Sequence, residues 1–214
     1  AYPATLEWTR SVTEINGEFL SEIFLCGNLA VSEFYRFMIE AMRSQYPKTT
    51  GVMPWTFNRF SVALMAYQCV DYEGVPTSVY YALKRAYKKV AFFADVSRLR
   101  HLPGENIVLS GSIVNEGLES NPVLAQAFIF NSAGEKLYFK EKTVSLKGYK
   151  QPLNFGTYTL DPKISNDCLF FAIRLISNDE VIYKSVYTLR VDDAVLDEKF
   201  FQRYETEFVP MKDL

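Results

Sequence analysis

The spacing of hydrophobic positions changes near Val90. Before that residue, apolar side chains recur every three or four positions, as in Leu29, Phe34, Phe37, Met38, Ala41 and Met42. This period predicts an amphipathic helix, which Pro47 ends, with the charged residues between the apolar ones on its solvated face. A second helix is predicted after Pro76, a residue that suits a first helical turn, with one apolar face formed by Val79, Leu83, Ala86 and Val90.

The stretch between these helices, residues 49–57, reads as a short apolar strand. An aromatic residue, Trp55, lies at its end, and Asn58 and Arg59 follow it. Helix, strand, loop and helix in this order are typical of an α/β fold. Residues at the carboxyl ends of strands line the active sites of α/β barrels, so these three side chains are candidate ligands of a substrate.

After Val90 the hydrophobic period becomes two, and polar turns separate the apolar runs. Seven short strands in about 100 residues indicate an antiparallel β-sandwich of immunoglobulin-like type. The predicted strands are residues 91–96, 106–114, 123–131, 136–142, 153–160, 168–176 and 181–191. The fold class is thus α+β, with a partial (β/α) barrel remnant in residues 1–90, a sandwich in 91–191 and a tail in 192–214, whose residues 195–204 could form a short helix.

Composition excludes several classes of function. The net charge of −2 gives little electrostatic basis for binding nucleic acid, and no run approaches the roughly 18 apolar residues of a membrane span. The three cysteines are far apart, and neither a Gly-rich phosphate loop nor a zinc-binding pattern is present, so no cofactor or metal is expected. The single histidine, His101, is expected at the surface.

Carboxylates offer no catalytic pair either. Glu14, Glu18 and Glu22 share a helical spacing that is typical of a solvated face. Asp71 and Tyr72 are expected to hold the loop before the second helix. No two carboxylates stand out as the acid and nucleophile that glycoside hydrolysis requires.

The stretch from Gly51 to Tyr87 resembles the eighth βα unit of family 2 glycoside hydrolases, closest to the β-mannosidase branch. That unit has a strand ending in an aromatic–Trp pair, an amide-rich turn, a D-Y-x-G turn and a helix with a Tyr-Tyr-x-x-Lys-Arg core. The matching residues here are Gly51, Trp55, Asn58, Asp71, Tyr72, Gly74, Tyr81, Lys84 and Arg85. The chain departs from the pattern at Pro54, which replaces an aromatic, and at Arg59, which replaces an acid, and it lacks a second loop tryptophan.

The resemblance covers nearly the whole chain. Residues 1–7 are similar to the family segment that closely follows the catalytic nucleophile, and residues 113–117 match the immunoglobulin-like domain that follows the barrel. It therefore implies a C-terminal portion of a retaining enzyme for β-mannosides or related β-glycosides, whose two carboxyls, about 5 Å apart, lie upstream of Ala1. The isolated chain is expected to be inactive. Trp55 would be a platform for a sugar face, with Asn58 and Arg59 near its hydroxyls.

Two further expectations concern partners. Residues 1–90 supply one barrel strand, so the sandwich, the rest of the barrel or another chain should cover them. A polysaccharide-degrading parent favours a periplasmic or extracellular location. The alternative function is a non-catalytic carbohydrate-binding or interaction module, whose sandwich would expose an aromatic platform drawn from Tyr138, Phe139, Tyr149 and Tyr158.

Overall fold

The computed structural model describes residues 20–58, 68–96, 98, 100–117, 121–192 and 194, with side chains from residue 30 onward. The chain divides into two compact units between Tyr87 and Lys88. The described residues form two helices and eight strands, so the predicted α+β class is confirmed. The possible helix at 195–204 lies outside the described residues.

The first unit contains α1 (Leu20–Arg43) and α2 (Ser78–Ala86). Its core joins Tyr35 and Ile39 of α1 to Cys69 and to the predicted inner face of α2, formed by Val79, Leu83 and Ala86. Val90 is not part of this helix, because it begins the first strand of the second unit. Pro76 also lies outside α2: it forms an isolated antiparallel bridge with Val70, and the helix begins two residues later.

The predicted inner face of α1 is wrong. Phe34 and Phe37 are 43% and 63% exposed, whereas the charged residues Arg36, Glu40 and Arg43, expected in solvent, are buried. Burial of these charges is tolerated because each has a polar partner. Arg36 pairs with Glu33 and, at 3.3 Å, with Glu40, while Arg43 donates to the carbonyl of Ala86 at the end of α2.

The strand predicted at 49–57 is also wrong. Residues 49–57 form no ladder with any described residue, and Asn58 makes only an isolated parallel bridge with Val70. The sequence has the apolar character of a strand, but a strand exists only where a neighbour accepts and donates its backbone hydrogen bonds. The described residues form no closed barrel.

The second unit is the predicted β-sandwich. Its strands are β1 (Val90–Ala94), β2 (Arg100–His101), β3 (Asn106–Asn115), β4 (Pro122–Phe130), β5 (Lys136–Ser145), β6 (Lys150–Thr159), β7 (Cys168–Ser177) and β8 (Glu180–Val191). One sheet has the order β1-β3-β6 and the other β2-β8-β7-β4-β5. All seven predicted strands are present. The two-residue β2, which runs parallel to β8, was not predicted.

Aromatic side chains and two tyrosine hydroxyls join the sheets. Phe92 of β1 makes an edge contact with Phe171 of β7, with ring centres 6.3 Å apart. Tyr183 and Tyr187 of β8 each donate a 2.9 Å hydrogen bond to the carbonyl of Phe92. The Tyr187 hydroxyl also accepts from the amide of Ala94 at 3.2 Å, so backbone groups of β1 are bound by side chains of the opposite sheet.

Gly111 of β3 provides a test of this packing. A Cβ added there would lie 2.5 Å from Cζ of Phe92 and 2.9 Å from Cα of Ala94, too close for β1 to keep its position. We expect Gly111→Ala to lower the free energy of unfolding of the sandwich by about 1–3 kcal/mol, measured by chemical denaturation. Gly51→Ala is the control, since nothing lies within 4 Å of its added Cβ. Equal effects of the two substitutions would contradict the packing.

Candidate functional site

The candidate residues lie on an exposed segment of the first unit. The side chain of Trp55 is 78% exposed, and its neighbours Met53 and Phe57 are also exposed. Asn58 is exposed three residues further on. Arg59 lies outside the described residues, so its predicted role stays a prediction. The described part of the site thus combines a free aromatic face with a free amide.

Side chains rather than a sheet fix the backbone of this segment. The hydroxyl of Tyr35 donates to the carbonyl of Trp55, and the hydroxyl of Tyr87 donates to the carbonyl of Val52 at 2.6 Å. The carbonyl of Phe57 accepts from the amide of Val70 at 3.0 Å. The peptide bond between Trp55 and Thr56 is cis. Sequence periodicity gave no signal for these contacts, because both tyrosines are distant in the chain.

The loop that follows is organised by Asp71, as expected, whereas Tyr72, expected to share this role, is 57% exposed. Oδ1 of Asp71 accepts from the amides of Glu73 at 2.9 Å and Val75 at 2.7 Å, and the Asp71 amide donates to the carbonyl of Val75 at 2.9 Å. Gly74, at φ +89°, occupies a conformation that L side chains rarely adopt. Asp71 is therefore an acceptor that shapes the turn before α2.

Three carboxylates in the described part of the first unit already have polar partners. Asp71 is engaged by two amides, and Glu33 and Glu40 pair with Arg36. Within the described ranges, no group of three or more His, Cys, Asp and Glu side chains is arranged to hold a metal ion. An aromatic face beside an amide suits stacking and hydrogen bonding to a ligand with an apolar face and polar edges.

His101 is not a surface residue, contrary to the prediction. It is buried in the sandwich, with Nδ1 3.1 Å from Oε1 of Glu105, and its Nε2 has no hydrogen-bond partner in the described structure. The residue lines a cavity of about 190 Å³, together with Asp95, Arg98, Glu105 and Ser110. Sequence reasoning predicted the turn at 102–105 but not that the Glu105 carboxylate would contact Arg98, His101 and the amide of Leu102.

Glu105 is the centre of this polar cluster. One carboxylate oxygen accepts from the amide of Leu102 at 3.0 Å, and the other contacts His101 and Arg98. Burial works to raise the pKa of the carboxyl, but the Leu102 amide, the His101 ring and the Arg98 guanidinium outweigh it, so the pKa lies below its usual value. The charged carboxylate is therefore favoured in the folded state.

Three of the four aromatic residues of the alternative platform pack against the core of the sandwich. Tyr138, Tyr149 and Tyr158 are partly buried against it, and Tyr138 donates to the carbonyl of Phe155 at 2.7 Å. Burial is the largest cause of the raised pKa of the Tyr158 hydroxyl, with the charge of Asp161 adding to it. Only Phe139 of the four is substantially exposed, at 44%. Among the described helices, none is long and apolar enough to span a membrane.

The loop acceptor can be tested by matched substitutions at Asp71. Asp71→Ala removes the oxygen that two amides share, and we expect the free energy of unfolding to fall by about 1–2 kcal/mol. Asp71→Asn keeps an oxygen in the same position and should retain most of that stability. Chemical denaturation of the two variants measures the difference. Similar losses would show that the charge, not the acceptor, matters.

The lowered pKa of Glu105 predicts a pH-dependent contribution to stability. Because the folded pKa lies below the unfolded one, the contribution is present above the unfolded pKa and is lost as the pH falls through the folded one. Glu105→Gln should therefore destabilise the sandwich at pH 7, and the difference from wild type should shrink under acid conditions. Exposed Glu180→Gln, which also removes one carboxylate, is the control in the same urea denaturation series. A pH-independent Glu105→Gln effect would contradict this account.

No protein-family model and no curated protein sequence matches the chain. Solved structures do. The exo-chitosanase CsxA of Amycolatopsis orientalis is 18% identical, with a TM-score of 0.56, over 81% of this chain and 20% of its own. A β-D-mannosidase from Dictyoglomus thermophilum is 16% identical, with a TM-score of 0.58, over 91% of this chain and 23% of its own.

At this identity the likeness concerns the fold. The chain spans about a fifth of the length of these proteins, which include family 2 glycoside hydrolases. A second CsxA structure, described as an exo-β-D-glucosaminidase, matches with a TM-score of 0.59 over 86% of this chain. The predicted resemblance is thus confirmed at the level of the fold: the chain has a fold similar to that of a part of these solved glycosidase structures.

Proposed function

We propose that this chain is the C-terminal portion of a retaining family 2 glycoside hydrolase that acts on β-mannosides or related β-glycosides. Residues 1–90 are the end of its catalytic barrel, residues 91–191 an immunoglobulin-like sandwich and residues 192–214 a tail. The catalytic nucleophile and the acid/base carboxyl lie upstream of Ala1, so the chain supplies one wall of the sugar pocket. The observation that carries the proposal is the fold likeness to glycosidases over as much as 91% of the chain.

Trp55 is the centre of the proposed wall. A tryptophan that is 78% exposed has an apolar face free to stack on the C–H face of a sugar ring. Asn58, exposed nearby, and Arg59 would then reach the hydroxyl groups at the ring edge. These side chains provide binding and orientation, while the upstream carboxyls perform the glycosyl transfer in two displacements.

The exposed apolar residues of the first unit support a covering partner. Phe37, Met53, Trp55, Phe57 and Tyr72 each expose more than half of their surface. Exposed apolar groups on this scale usually mark an interaction surface in a soluble protein. We assign this surface to the remainder of the catalytic barrel, because this chain spans only about a fifth of the length of its structural relatives.

The choice of sugar rests on the residues around Trp55. The match to the β-mannosidase branch at Gly51, Trp55 and Asn58 favours a β-mannoside. Pro54 and Arg59 depart from that pattern, and one structural relative is described as acting on β-D-glucosaminides. A panel of aryl β-mannoside, β-glucosaminide, β-galactoside and β-glucuronide therefore belongs in the test, with the mannoside expected to be hydrolysed best.

The first experiment reads the coding sequence upstream of Ala1 and assays the intact protein on this panel. We expect an in-frame glutamate a few residues before Ala1, preceded by a barrel, and retention of configuration at the anomeric carbon. The 214-residue chain alone should be inert. Turnover by the isolated chain that a substitution within it abolishes would overturn the proposal.

The second experiment separates the two candidate surfaces in the intact protein. Trp55→Ala should lower kcat/KM by at least about tenfold, since an aromatic contact with the reacting sugar is lost. Phe139→Ala, which removes the most exposed aromatic of the alternative platform, should leave kcat/KM unchanged. If instead polysaccharide binding depends on Phe139 and Trp55 has no effect, the chain is better described as a carbohydrate-binding module.

A further inference from the structure

The exposed Trp55 lies on a segment that has no sheet to hold it. A regular barrel strand would be fixed by ladder hydrogen bonds on both sides, but residues 49–57 have none with the described residues. Three backbone carbonyls of the segment, those of Val52, Trp55 and Phe57, are instead bound by groups from elsewhere in the unit. We propose that Tyr35 and Tyr87 are positioning residues that set the orientation of Trp55 for a sugar ligand. The functional part of this inference rests on the function proposed above.

Tyr35 is the rigid member of the pair. It lies in α1 with its side chain in the core of the unit, beside Ile39, Val79 and Leu83, and only 8% of the residue is exposed. Its hydroxyl reaches the carbonyl of Trp55 itself. Because the ring is fixed by packing, this hydrogen bond ties the backbone that carries the Trp55 side chain directly to the helical core.

Tyr87 fixes the same segment from the other helix. It immediately follows α2, and its amide donates to the carbonyl of Leu83 at 2.9 Å, so its backbone continues the helical hydrogen bonding. Its hydroxyl then reaches the carbonyl of Val52, three residues before Trp55. The adjacent carbonyl of Ala86 accepts from the buried Arg43, which joins the end of α2 to α1.

The two hydroxyls therefore bind the first and last residues of a four-residue span, 52–55, one from α1 and the other from the residue that follows α2. Two fixed points restrict how far the intervening backbone can rotate, and the Trp55 ring turns with that backbone. A platform held in place before the ligand arrives avoids an ordering cost on binding. Neither tyrosine needs to touch the sugar for this effect.

The spectroscopic test uses the 214-residue chain with Trp8→Phe, which leaves Trp55 as the sole tryptophan, labelled as 5-fluorotryptophan. We expect Tyr35→Phe and Tyr87→Phe each to shift or broaden the ¹⁹F resonance, because the population of the released segment rises about fivefold per hydrogen bond lost. The melting temperature, followed by circular dichroism, reports any general loss of structure. Tyr72→Phe is the matched control, since Tyr72 is 57% exposed and its hydroxyl makes no hydrogen bond to another described residue.

The outcomes are distinct. An altered ¹⁹F signal at a temperature where the variant is fully folded supports positioning. An unchanged signal in both variants, with or without a lower melting temperature, overturns it. If Tyr35→Phe fails to fold, Tyr87→Phe decides alone, because Tyr87 is 40% exposed and contributes less to the core.

The kinetic test uses the intact protein. Tyr35→Phe should lower kcat/KM in the wild-type background and have much less effect in a Trp55→Ala background, because the residue acts through Trp55. Equal effects in both backgrounds would overturn the functional part of the inference. If the intact protein hydrolyses no glycoside, the proposed function fails, whereas the ¹⁹F result still decides whether the tyrosines hold Trp55.

Discussion

The structure around Trp55 depends on one constraint: backbone carbonyls of a segment without a neighbouring strand must find partners elsewhere. The hydroxyls of Tyr35 and Tyr87 meet this need for residues 55 and 52. The same bonds connect the segment to the core shared by α1 and α2. The position of the exposed Trp55 therefore depends on how the two helices pack. A substitution in the core next to Tyr35 would therefore change the position of Trp55, the proposed sugar platform, even though it makes no contact with Trp55.

The sandwich solves a similar problem by similar means. Its edge strand β1 pairs with β3 on one side, and on the other side Tyr183 and Tyr187 of the opposite sheet bind its carbonyl at Phe92. Tyrosine suits this task because its ring fills a core position while its hydroxyl reaches a polar group at the far end. In each unit, a ring packed in the core carries a hydroxyl to a backbone group that lacks a ladder partner.

The two faces of α1 differ from those of an ordinary amphipathic helix. Its apolar residues Phe34 and Phe37 are exposed, whereas its buried side carries Arg36, Glu40 and Arg43. The pairing of Arg36 with Glu40 and the hydrogen bond from Arg43 to the carbonyl of Ala86 offset the loss of hydration of these buried charges. The exposed apolar residues of α1 and the exposed Trp55 are both consistent with a surface that the rest of a barrel would cover. The proposed parent enzyme accounts for both features at once.

The sequence by itself determined the elements whose pattern is local. Alternating residues and polar turns located all seven sandwich strands, because a period of two and a turn are properties of neighbouring residues. The motif around Trp55, Asn58 and Asp71 likewise pointed to the fold of the solved structures to which this chain is similar.

Tertiary structure alone decided the rest. It decided which face of α1 is buried, since Arg36 and Arg43 become acceptable inside only when Glu40 and Ala86 are beside them. It buried His101, whose Nδ1 lies within hydrogen-bond distance of Glu105. It also gave residues 49–57 no strand partner among the described residues. Ala86 is distant in the chain from Arg43, whereas Glu40 and Glu105 lie only four residues from Arg36 and His101. In each case burial depends on how the elements pack, and periodicity carries no information about that packing.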